Sequence, residues 1–362
     1  MGYERTNIAA MAGYSYGEQP EAESVIKLNT NENPYPPSPA VQQALSSADA
    51  NALRIYPSAT APELRSAIAA LHQLDADQVV LTHGGDEALR LAMTTFVGEN
   101  QGFGMAEPSY SLYPVLAAVA DANIHRVDLD DNWHWPPQGS ESLNRAGVKL
   151  TCIVNPHAPS GTLATVPELS ALATALDGVL LVDEAYADFI DPDQGYDSSK
   201  LIKDHDNVLI LRTFSKGYSL AGLRLGYLLG ARDLISAIAE KTRDSYNIDG
   251  LSQLLGAASI GDQAYARQTW DEVRRARVAL LAGLTQLGFS APASHANFLL
   301  CEVPDASSAQ AQALYQGLRE RHIYVRYFDA PRLRNKLRIT VGTQEQNQSL
   351  IAALQQLLQA PT

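Results

Sequence analysis

The chain has 362 residues, of which 46% are hydrophobic and 19% are charged. This length predicts about two domains, and the apolar content excludes an intrinsically disordered chain. The formal net charge of −13 excludes a general attraction to nucleic acid or anionic lipid, so neither is an expected partner.

The two cysteines, Cys152 and Cys301, lie within apolar runs, which predicts buried free thiols rather than a disulfide or metal ligands. No cysteine and histidine spacing typical of zinc occurs, so we expect no metal. No apolar run approaches the roughly 18 residues that a membrane helix needs, and the N-terminus lacks an apolar signal core. We therefore expect a cytoplasmic protein without a membrane partner.

Residues 1–32 are polar and irregular and lead into an Asn- and Pro-rich segment, which predicts an extended N-terminal arm. From about residue 62 to 245, apolar runs alternate with helix-period runs. Strands are predicted at 78–81, 150–154, 179–182, 208–211 and 225–229, and helices at 87–97 and 166–176. This α/β pattern indicates a large domain, residues 33–248, with a mostly parallel sheet covered by helices on both faces.

The pattern changes after residue 249. Helices are predicted at 253–260, 269–287, 308–321 and 346–358, and strands at 298–303, 323–327 and 337–341. A small sheet with helices on one side follows from this order. We assign residues 249–362 to a smaller C-terminal α+β domain.

Three segments carry candidate chemistry, and the first is a glycine turn between a strand and a helix. Gly84 and Gly85 let the backbone approach a ligand closely, and the helix that follows offers free N–H groups beside Asp86. The turn lacks the spacing of the Walker A and dinucleotide-binding motifs, so neither ATP nor NAD is expected. It predicts an anion cradle, with an ordinary strand-to-helix turn as the alternative.

The second segment is the end of the strand at 179–182, where Asp183 and Tyr186 follow. Open α/β sheets place their sites at the carboxyl ends of strands. A carboxylate there can pair with a ring cation, and the tyrosine can reach a neighbouring oxygen. Helix capping by Asp183 is the alternative.

The third segment follows the strand at 208–211 and contains Lys216, one of only seven lysines. A desolvated lysine among cations has a depressed pKa and reacts with aldehydes. Ser215 and Arg224 offer a hydroxyl and a guanidinium to a phosphate. Together the three segments supply an amine for an aldehyde, an anion for a pyridinium nitrogen and donors for a phosphate, which is the set that pyridoxal 5'-phosphate needs.

The segment around Lys216 resembles the lysine motif of class I/II pyridoxal-phosphate-dependent aminotransferases of fold type I, and is most similar to the histidinol-phosphate aminotransferase family. In Tyr14–Glu18, Tyr16 stands where that family has proline. The other segments similar to that family are Lys27–Pro36, Arg54–Pro57, Glu107–Tyr110 and Leu337–Thr343. The resemblance therefore spans almost the whole chain.

The resemblance implies that Lys216 holds the cofactor covalently and then carries a proton between the substrate and the cofactor. Asp183 is implied to pair with the ring nitrogen and Tyr186 to reach the ring hydroxyl. Tyr110 is implied to stack on the ring, with ordinary packing as the alternative. The implied phosphate ligands are Gly85, Asp86, Thr213, Ser215 and Arg224.

The resemblance also implies a homodimer with shared active sites, because Tyr56 would reach the phosphate in the neighbouring subunit. Arg338 is implied to bind the carboxylate of glutamate and Arg326 the distal group of the substrate. Tyr14 and Asn33 would close over that substrate. Ordinary packing for Tyr56 and a rim charge for Arg326 are the alternatives.

One position departs from the family pattern. The family has asparagine immediately before Pro-Thr-Gly, where it donates to the ring hydroxyl oxygen, whereas this sequence has Ala158. Because alanine has no side-chain donor, we expect His157 or Asn155 to replace that hydrogen bond, or the oxygen to keep Tyr186 alone.

The implied reaction is transamination between L-histidinol phosphate and 2-oxoglutarate, giving imidazole acetol phosphate and L-glutamate, in histidine biosynthesis. An aromatic amino acid aminotransferase and a threonine-phosphate decarboxylase-like enzyme stay open, as does a cofactor-binding regulatory module without turnover. Because the cofactor and the substrates are anions, we expect Lys216, Arg224, Arg326 and Arg338 to form a positive basin within the acidic surface.

Overall fold

The computed structural model describes residues 2–14, 17–20 and 25–359, so Tyr16 of the arm lies outside the described residues. The arm contains the helix α1 (Thr6–Ala10) and the strand β1 (Ile26–Lys27). The arm is more ordered than its polar sequence predicts. The buried side chain of Leu28 and the backbone pairing of β1 with residues 323–324 hold it in place. Leu28 is only 1% exposed, and its backbone N–H donates to the carbonyl oxygen of Tyr324 at 2.7 Å.

The large domain is built on a seven-stranded sheet. Its helices are α2 (Pro39–Ser46), α3 (Pro62–Leu71), α4 (Gly84–Phe96), α5 (Leu112–Val119), α6 (Gly139–Arg145), α7 (Val166–Ala175), α8 (Ser199–Asp204) and α9 (Arg232–Lys241). Its strands are β2 (Val79–Thr82), β3 (Gly102–Glu107), β4 (Asn123–Asp128), β5 (Val148–Val154), β6 (Val179–Asp183), β7 (Val208–Thr213) and β8 (Gly226–Gly230). The strand order is β2-β8-β7-β6-β5-β3-β4, and only β8 runs against its neighbours. The predicted, mostly parallel sheet is confirmed.

The central strands are apolar on both faces because helices cover both. In β6, Leu180 and Val182 pack on one side with α3 and α7, whereas Leu181 packs on the other with α4 and α5. All three side chains are fully buried. This double coverage is the physical reason why the strand has a continuous apolar run rather than an alternating one.

The C-terminal part carries a second, antiparallel sheet. Its helices are α10 (Gly250–Gly261), α11 (Gln263–Gln286), α12 (Ser308–Glu320) and α13 (Gln344–Gln359), and its strands are β9 (Phe298–Glu302), β10 (Ile323–Tyr324), β11 (Arg326–Tyr327) and β12 (Lys336–Thr340). The sheet has the order β11-β12-β9, while β10 pairs in parallel with β1 of the arm. The single strand predicted at 323–327 is therefore two short strands that serve different partners.

The apolar packing divides the chain slightly differently from the predicted boundary at residue 249. Leu255 and Ile260 of α10 pack into the core of the large sheet with α2 and α3. The separate core of the small domain begins with Val273 on α11 and includes Leu28 of the arm. Packing thus favours a boundary within α11, and the exact division remains a prediction.

Candidate active site

A cavity of about 900 Å³ opens between the carboxyl edge of the large sheet, the small sheet and the arm. Most of the site residues predicted from the sequence lie in its wall: Tyr14, Gly85, Asp86, Tyr110, Asp183, Tyr186, Thr213, Ser215, Lys216, Arg224, Arg326 and Arg338. They come from segments more than 300 residues apart in the chain. The expected basin of four cations lies in this one wall, together with Asp86 and Asp183.

Lys216 lies just beyond the end of β7 and its amine faces the arm. Its Nζ donates a hydrogen bond to the carbonyl oxygen of Thr30 at 2.8 Å. Burial lowers the pKa of Lys216 to about 8, with Arg338 and Arg224 adding to the effect and Glu32 opposing it. A large share of the amine is therefore neutral, and nucleophilic, at mildly alkaline pH.

Asp183 ends β6 and is held by two donors. The hydroxyl of Tyr113 donates to its Oδ2 at 2.9 Å, and the backbone N–H of Ala185 donates to its Oδ1 at 3.1 Å. Burial raises the pKa of Asp183 to about 6, and both hydrogen bonds oppose that rise. The carboxylate stays mainly ionised at neutral pH and suits a ring cation. The role of Tyr113 was not predicted, because nothing in its sequence surroundings distinguishes it from a packing aromatic.

The anion cradle combines the start of α4 with the segment after Lys216. Gly84 has φ +76°, and a Cβ there would come within 2.7 Å of Arg224 Nη2, so only glycine fits. Arg224 donates to Ser215 Oγ at 3.3 Å and pairs with the Asp86 carboxylate at 3.2 Å. Thr213 Oγ1 donates to Ser215 Oγ at 2.9 Å. Free N–H groups, hydroxyls and a guanidinium thus converge, which suits a phosphate.

The opposite end of the cavity is cationic and aromatic. Arg338 on β12 and Arg326 on β11 are paired neighbours across the small sheet. The guanidinium of Arg338 lies over the rings of Phe298 and Phe328, at 5.3 and 5.4 Å from their centroids, and that of Arg326 lies 5.2 Å from Phe328. The aromatic faces stabilise two neighbouring cations. Phe328 was not predicted as a site residue.

Two residues expected to replace the missing donor at Ala158 do not reach the cavity. The ring nitrogens of His157 lie 2.7 Å from Ser160 Oγ and 2.9 Å from the carbonyl oxygen of Pro108. The amide of Asn155 donates to the hydroxyl of Tyr196 at 2.9 Å. Both side chains are buried away from the wall, and internal contacts already occupy their polar atoms. Their expected role at the ring oxygen stays a prediction, and these contacts do not favour it.

Asn33 and Tyr56 also lie outside the wall of their own chain. Asn33 donates to the carbonyl oxygen of Gly217 at 3.3 Å and contacts the backbone beside Lys216 rather than the cavity. Its Oδ1 accepts the N–H of Tyr35 in a local turn, and the expected closing of Asn33 over the substrate stays a prediction. The Tyr56 side chain is 81% exposed and stacks on Tyr246, so a role in a neighbouring subunit remains a prediction.

The wall contains buried polar atoms that no described protein group satisfies. Among residues 2–14, 17–20 and 25–359, no hydrogen-bond partner is present for Asn29 Oδ1, Thr30 Oγ1, Ser109 Oγ or Arg338 Nε, and all four residues line the cavity. Unpaired buried polar groups are costly, so such a wall fits a polar ligand. Together with the buried amine of Lys216, the carboxylate of Asp183 and the glycine cradle, it fits the predicted cofactor.

Two further observations on the described residues concern metal binding and membrane crossing. In residues 2–14, 17–20 and 25–359, no group of three or more His, Cys, Asp or Glu side chains could hold a metal ion. In the same part of the chain, no helix combines the length and apolarity needed to cross a bilayer.

Comparison with known proteins gives consistent matches over the whole chain. The sequence profile of the family "Aminotransferase class I and II" matches residues 23–354. The chain is 41% identical to histidinol-phosphate aminotransferase 1 of Nostoc sp. over 359 residues, covering 99% of both chains. It is 39% identical to the histidinol-phosphate aminotransferase of Citrifermentans bemidjiense over 354 residues, covering 98% of both.

A solved structure shares the fold. The histidinol-phosphate aminotransferase of Sinorhizobium meliloti, in complex with pyridoxal-5'-phosphate, superimposes with a TM-score of 0.90 at 22% sequence identity. The superposition covers 99% of this chain and 98% of that one.

Proposed function

This chain belongs to the aminotransferase class I and II family. We therefore propose that the protein transfers, within this cavity, the amino group of L-histidinol phosphate to 2-oxoglutarate. Imidazole acetol phosphate and L-glutamate are then the products. Family membership confirms the predicted fold type, the enzyme class and the cofactor, pyridoxal 5'-phosphate. The observation that carries the choice of substrate is the full-length similarity to relatives that bear the name histidinol-phosphate aminotransferase.

The residues that would hold the cofactor are those of the cavity wall. Lys216 would bind its aldehyde carbon, Asp183 its ring nitrogen and Tyr186 its ring hydroxyl. The phosphate would lie against the start of α4, Ser215 and Arg224. When bound, pyridoxal 5'-phosphate supplies an electron sink for negative charge that develops at the substrate α-carbon.

Lys216 is the proposed acid and base. Its lowered pKa, about 8, lies close to neutral pH, where an amine exchanges protons most effectively in both directions. Asp183 would keep the ring nitrogen protonated, because its buried carboxylate is ionised at neutral pH and has a cation as its natural partner.

Arg338 and Arg326 are the proposed substrate residues. Arg338 would bind the carboxylate of glutamate, because its buried Nε has no partner within the described part of the chain and a guanidinium binds carboxylates through two donors. Arg326, beside it on the small sheet, would bind the distal anionic group. One pair of cations thus serves two different substrates in the two halves of the reaction.

We further infer a cytoplasmic homodimer with shared active sites. The support for the dimer is a group of exposed apolar residues on either side of Arg54, in which Leu53, Ile55 and Tyr56 are 68%, 62% and 81% exposed. Clustered exposed apolar residues often mark a protein–protein interface. The buried free thiols of Cys152 and Cys301 suit a reducing compartment.

The test is a half-reaction screen on the cofactor-loaded protein, followed by loss of the visible absorbance of the bound cofactor. L-Histidinol phosphate and L-glutamate are expected to bleach the band, and Lys216→Ala is the control that should form no such band. A faster reaction with L-phenylalanine would favour an aromatic aminotransferase instead. Release of CO₂ from L-threonine phosphate without amino transfer would favour a decarboxylase, and no reaction with any donor would favour a regulatory module.

A further inference from the structure

We propose that Asn31 is a positioning residue for Tyr186: its amide donates to the Tyr186 hydroxyl oxygen and so leaves the hydroxyl proton free to face the cavity. The inference rests on the proposed function, in which Tyr186 reaches the ring hydroxyl of the cofactor. Asn31 acts through the tyrosine and not on the cofactor itself.

The contact is direct and buried. Asn31 Nδ2 lies 3.1 Å from the Tyr186 hydroxyl oxygen, although 155 residues separate them in the chain. Asn31 is 1% exposed and has φ +56°, in the left-handed region where asparagine is one of the few tolerated residues besides glycine. Both the residue type and its backbone conformation therefore suit this position.

The direction of the hydrogen bond follows from the contacts of Thr340. The backbone N–H of Asn31 donates to Thr340 Oγ1 at 3.1 Å, so the threonine proton is free to donate to Asn31 Oδ1, 3.0 Å away. This identifies Oδ1 as the acceptor end of the amide, which leaves Nδ2 to face Tyr186. Asn297 fixes the backbone by donating to the Asn31 carbonyl oxygen at 2.9 Å.

The proton of Tyr186 must then point away from Asn31. An amide nitrogen only donates, so the tyrosine oxygen accepts from it and cannot direct its own O–H there. Among the described residues, no other protein group is within hydrogen-bond geometry of that hydroxyl. The side chain lines the cavity, with its ring packed edge-on against Phe298.

The aim of the Tyr186 hydroxyl matters more in this chain because of Ala158. That position has no side-chain donor, and His157 and Asn155 are occupied elsewhere. Burial raises the pKa of Tyr186, so its hydroxyl keeps the proton that it would donate to the ring oxygen. Because Asn31 is held by Thr340 and Asn297, the small domain and the arm together determine how this donor is aimed.

The test titrates the visible absorbance of bound pyridoxal 5'-phosphate against pH in the wild-type protein and in Asn31→Ala. A donor to the ring oxygen stabilises its anionic form, so a badly aimed Tyr186 is expected to raise the titration midpoint by about half a pH unit or more. In the Tyr186→Phe background the same substitution should cause no further shift, because there is no hydroxyl left to aim.

Two variants complete the experiment. Thr340→Val keeps the shape of the side chain but removes the hydroxyl that orients the amide, and should shift the midpoint in the same direction by a smaller amount. Asn123→Ala removes another asparagine with a single amide contact, far from the cavity, and should leave the midpoint unchanged.

An unchanged midpoint in folded Asn31→Ala, or an equal shift in the Tyr186→Phe background, would overturn the inference. If Asn31→Ala does not fold, Thr340→Val decides the question, and a wild-type midpoint in that variant overturns it. A wild-type protein that forms no visible band with the cofactor would overturn the proposed function itself, and this inference with it.

Discussion

At the scale of single residues, the reactivity of Lys216 comes from its surroundings. Its amine is buried next to Arg338 and Arg224, so the protonated form is destabilised and the pKa falls to about 8. Glu32 opposes this shift, although its carboxylate is bound to Lys27 at 2.6 Å. The amine is therefore tuned by residues of the arm as well as by those of the two domains.

This tuning predicts the pH dependence of cofactor loading. Only the neutral amine attacks an aldehyde, so the rate at which the apo-protein takes up pyridoxal 5'-phosphate should rise with pH and level off above about 8. Stopped-flow measurement of the developing absorbance would give the midpoint. With an ordinary lysine, the rate would instead keep rising until the pH reaches the usual lysine pKa of 10.5.

Glu32→Gln is the matched variant for this measurement. It removes the carboxylate that raises the pKa of Lys216, so the midpoint should move to lower pH while the plateau rate stays similar. A midpoint near 10 in the wild-type protein, or no movement in Glu32→Gln, would contradict the assigned environment of Lys216.

The residues that could be predicted from the sequence have chemistry that is rare in a protein core. Lys216, Asp183 and Arg224 are charged groups at strand ends, and such groups have few structural uses there. Asn31 and Tyr113 could not be predicted in the same way. Their roles depend on which distant side chain lies opposite, and neither residue type is unusual in a buried segment.

At the scale of elements, predictability follows burial. The central strands β5, β6 and β7 were predicted within a few residues because both of their faces are covered. The strand β4 was missed because it is an edge strand with a polar sequence, and its neighbour β3 was missed because it contains Gly102 and Gly104. The pairing of β1 with β10 has no local signal at all.

That pairing gives a prediction about the arm. The backbone N–H of Ile26 donates to the carbonyl oxygen of His322 at 2.9 Å, and residues 29–31 then line the cavity. Ile26→Pro removes this donor, and loss of one backbone hydrogen bond costs roughly 1 kcal/mol, a factor of about 5. We expect a KM for the amino donor about 3–10 times higher and faster proteolysis of the arm.

Ile26→Ala is the matched control, because it loses the same side chain but keeps the N–H. It should resemble the wild-type protein more closely than Ile26→Pro in both measurements. Equal KM values and equal proteolysis rates for the two variants would show that the ladder does not hold the arm in place.

At the scale of the whole molecule, four cations of an acidic chain lie together at the proposed ligand site. The net charge is −13, yet Lys216, Arg224, Arg326 and Arg338 share one cavity wall. Cations gathered in one cleft favour the approach of anionic substrates, and the acidic balance of the chain disfavours contact with other acidic proteins. Leu53, Ile55 and Tyr56 are exposed apolar residues on this surface, and a second copy of the chain is the partner that we propose for them.

A shared active site makes a distinctive prediction about mixed dimers. Tyr56→Phe should weaken binding of pyridoxal 5'-phosphate by about 10-fold, the effect of losing one hydrogen bond to a charged group, and Lys216→Ala should abolish covalent binding. A dimer of one chain of each kind contains one intact site, with Lys216 from the first chain and Tyr56 from the second. When the two chains are co-expressed with different tags and the mixed dimer is purified, one site per dimer should bind with wild-type affinity. If each site instead uses only its own chain, the mixed dimer will show the weak affinity of Tyr56→Phe alone. A native mass equal to that of one chain would contradict the dimer itself.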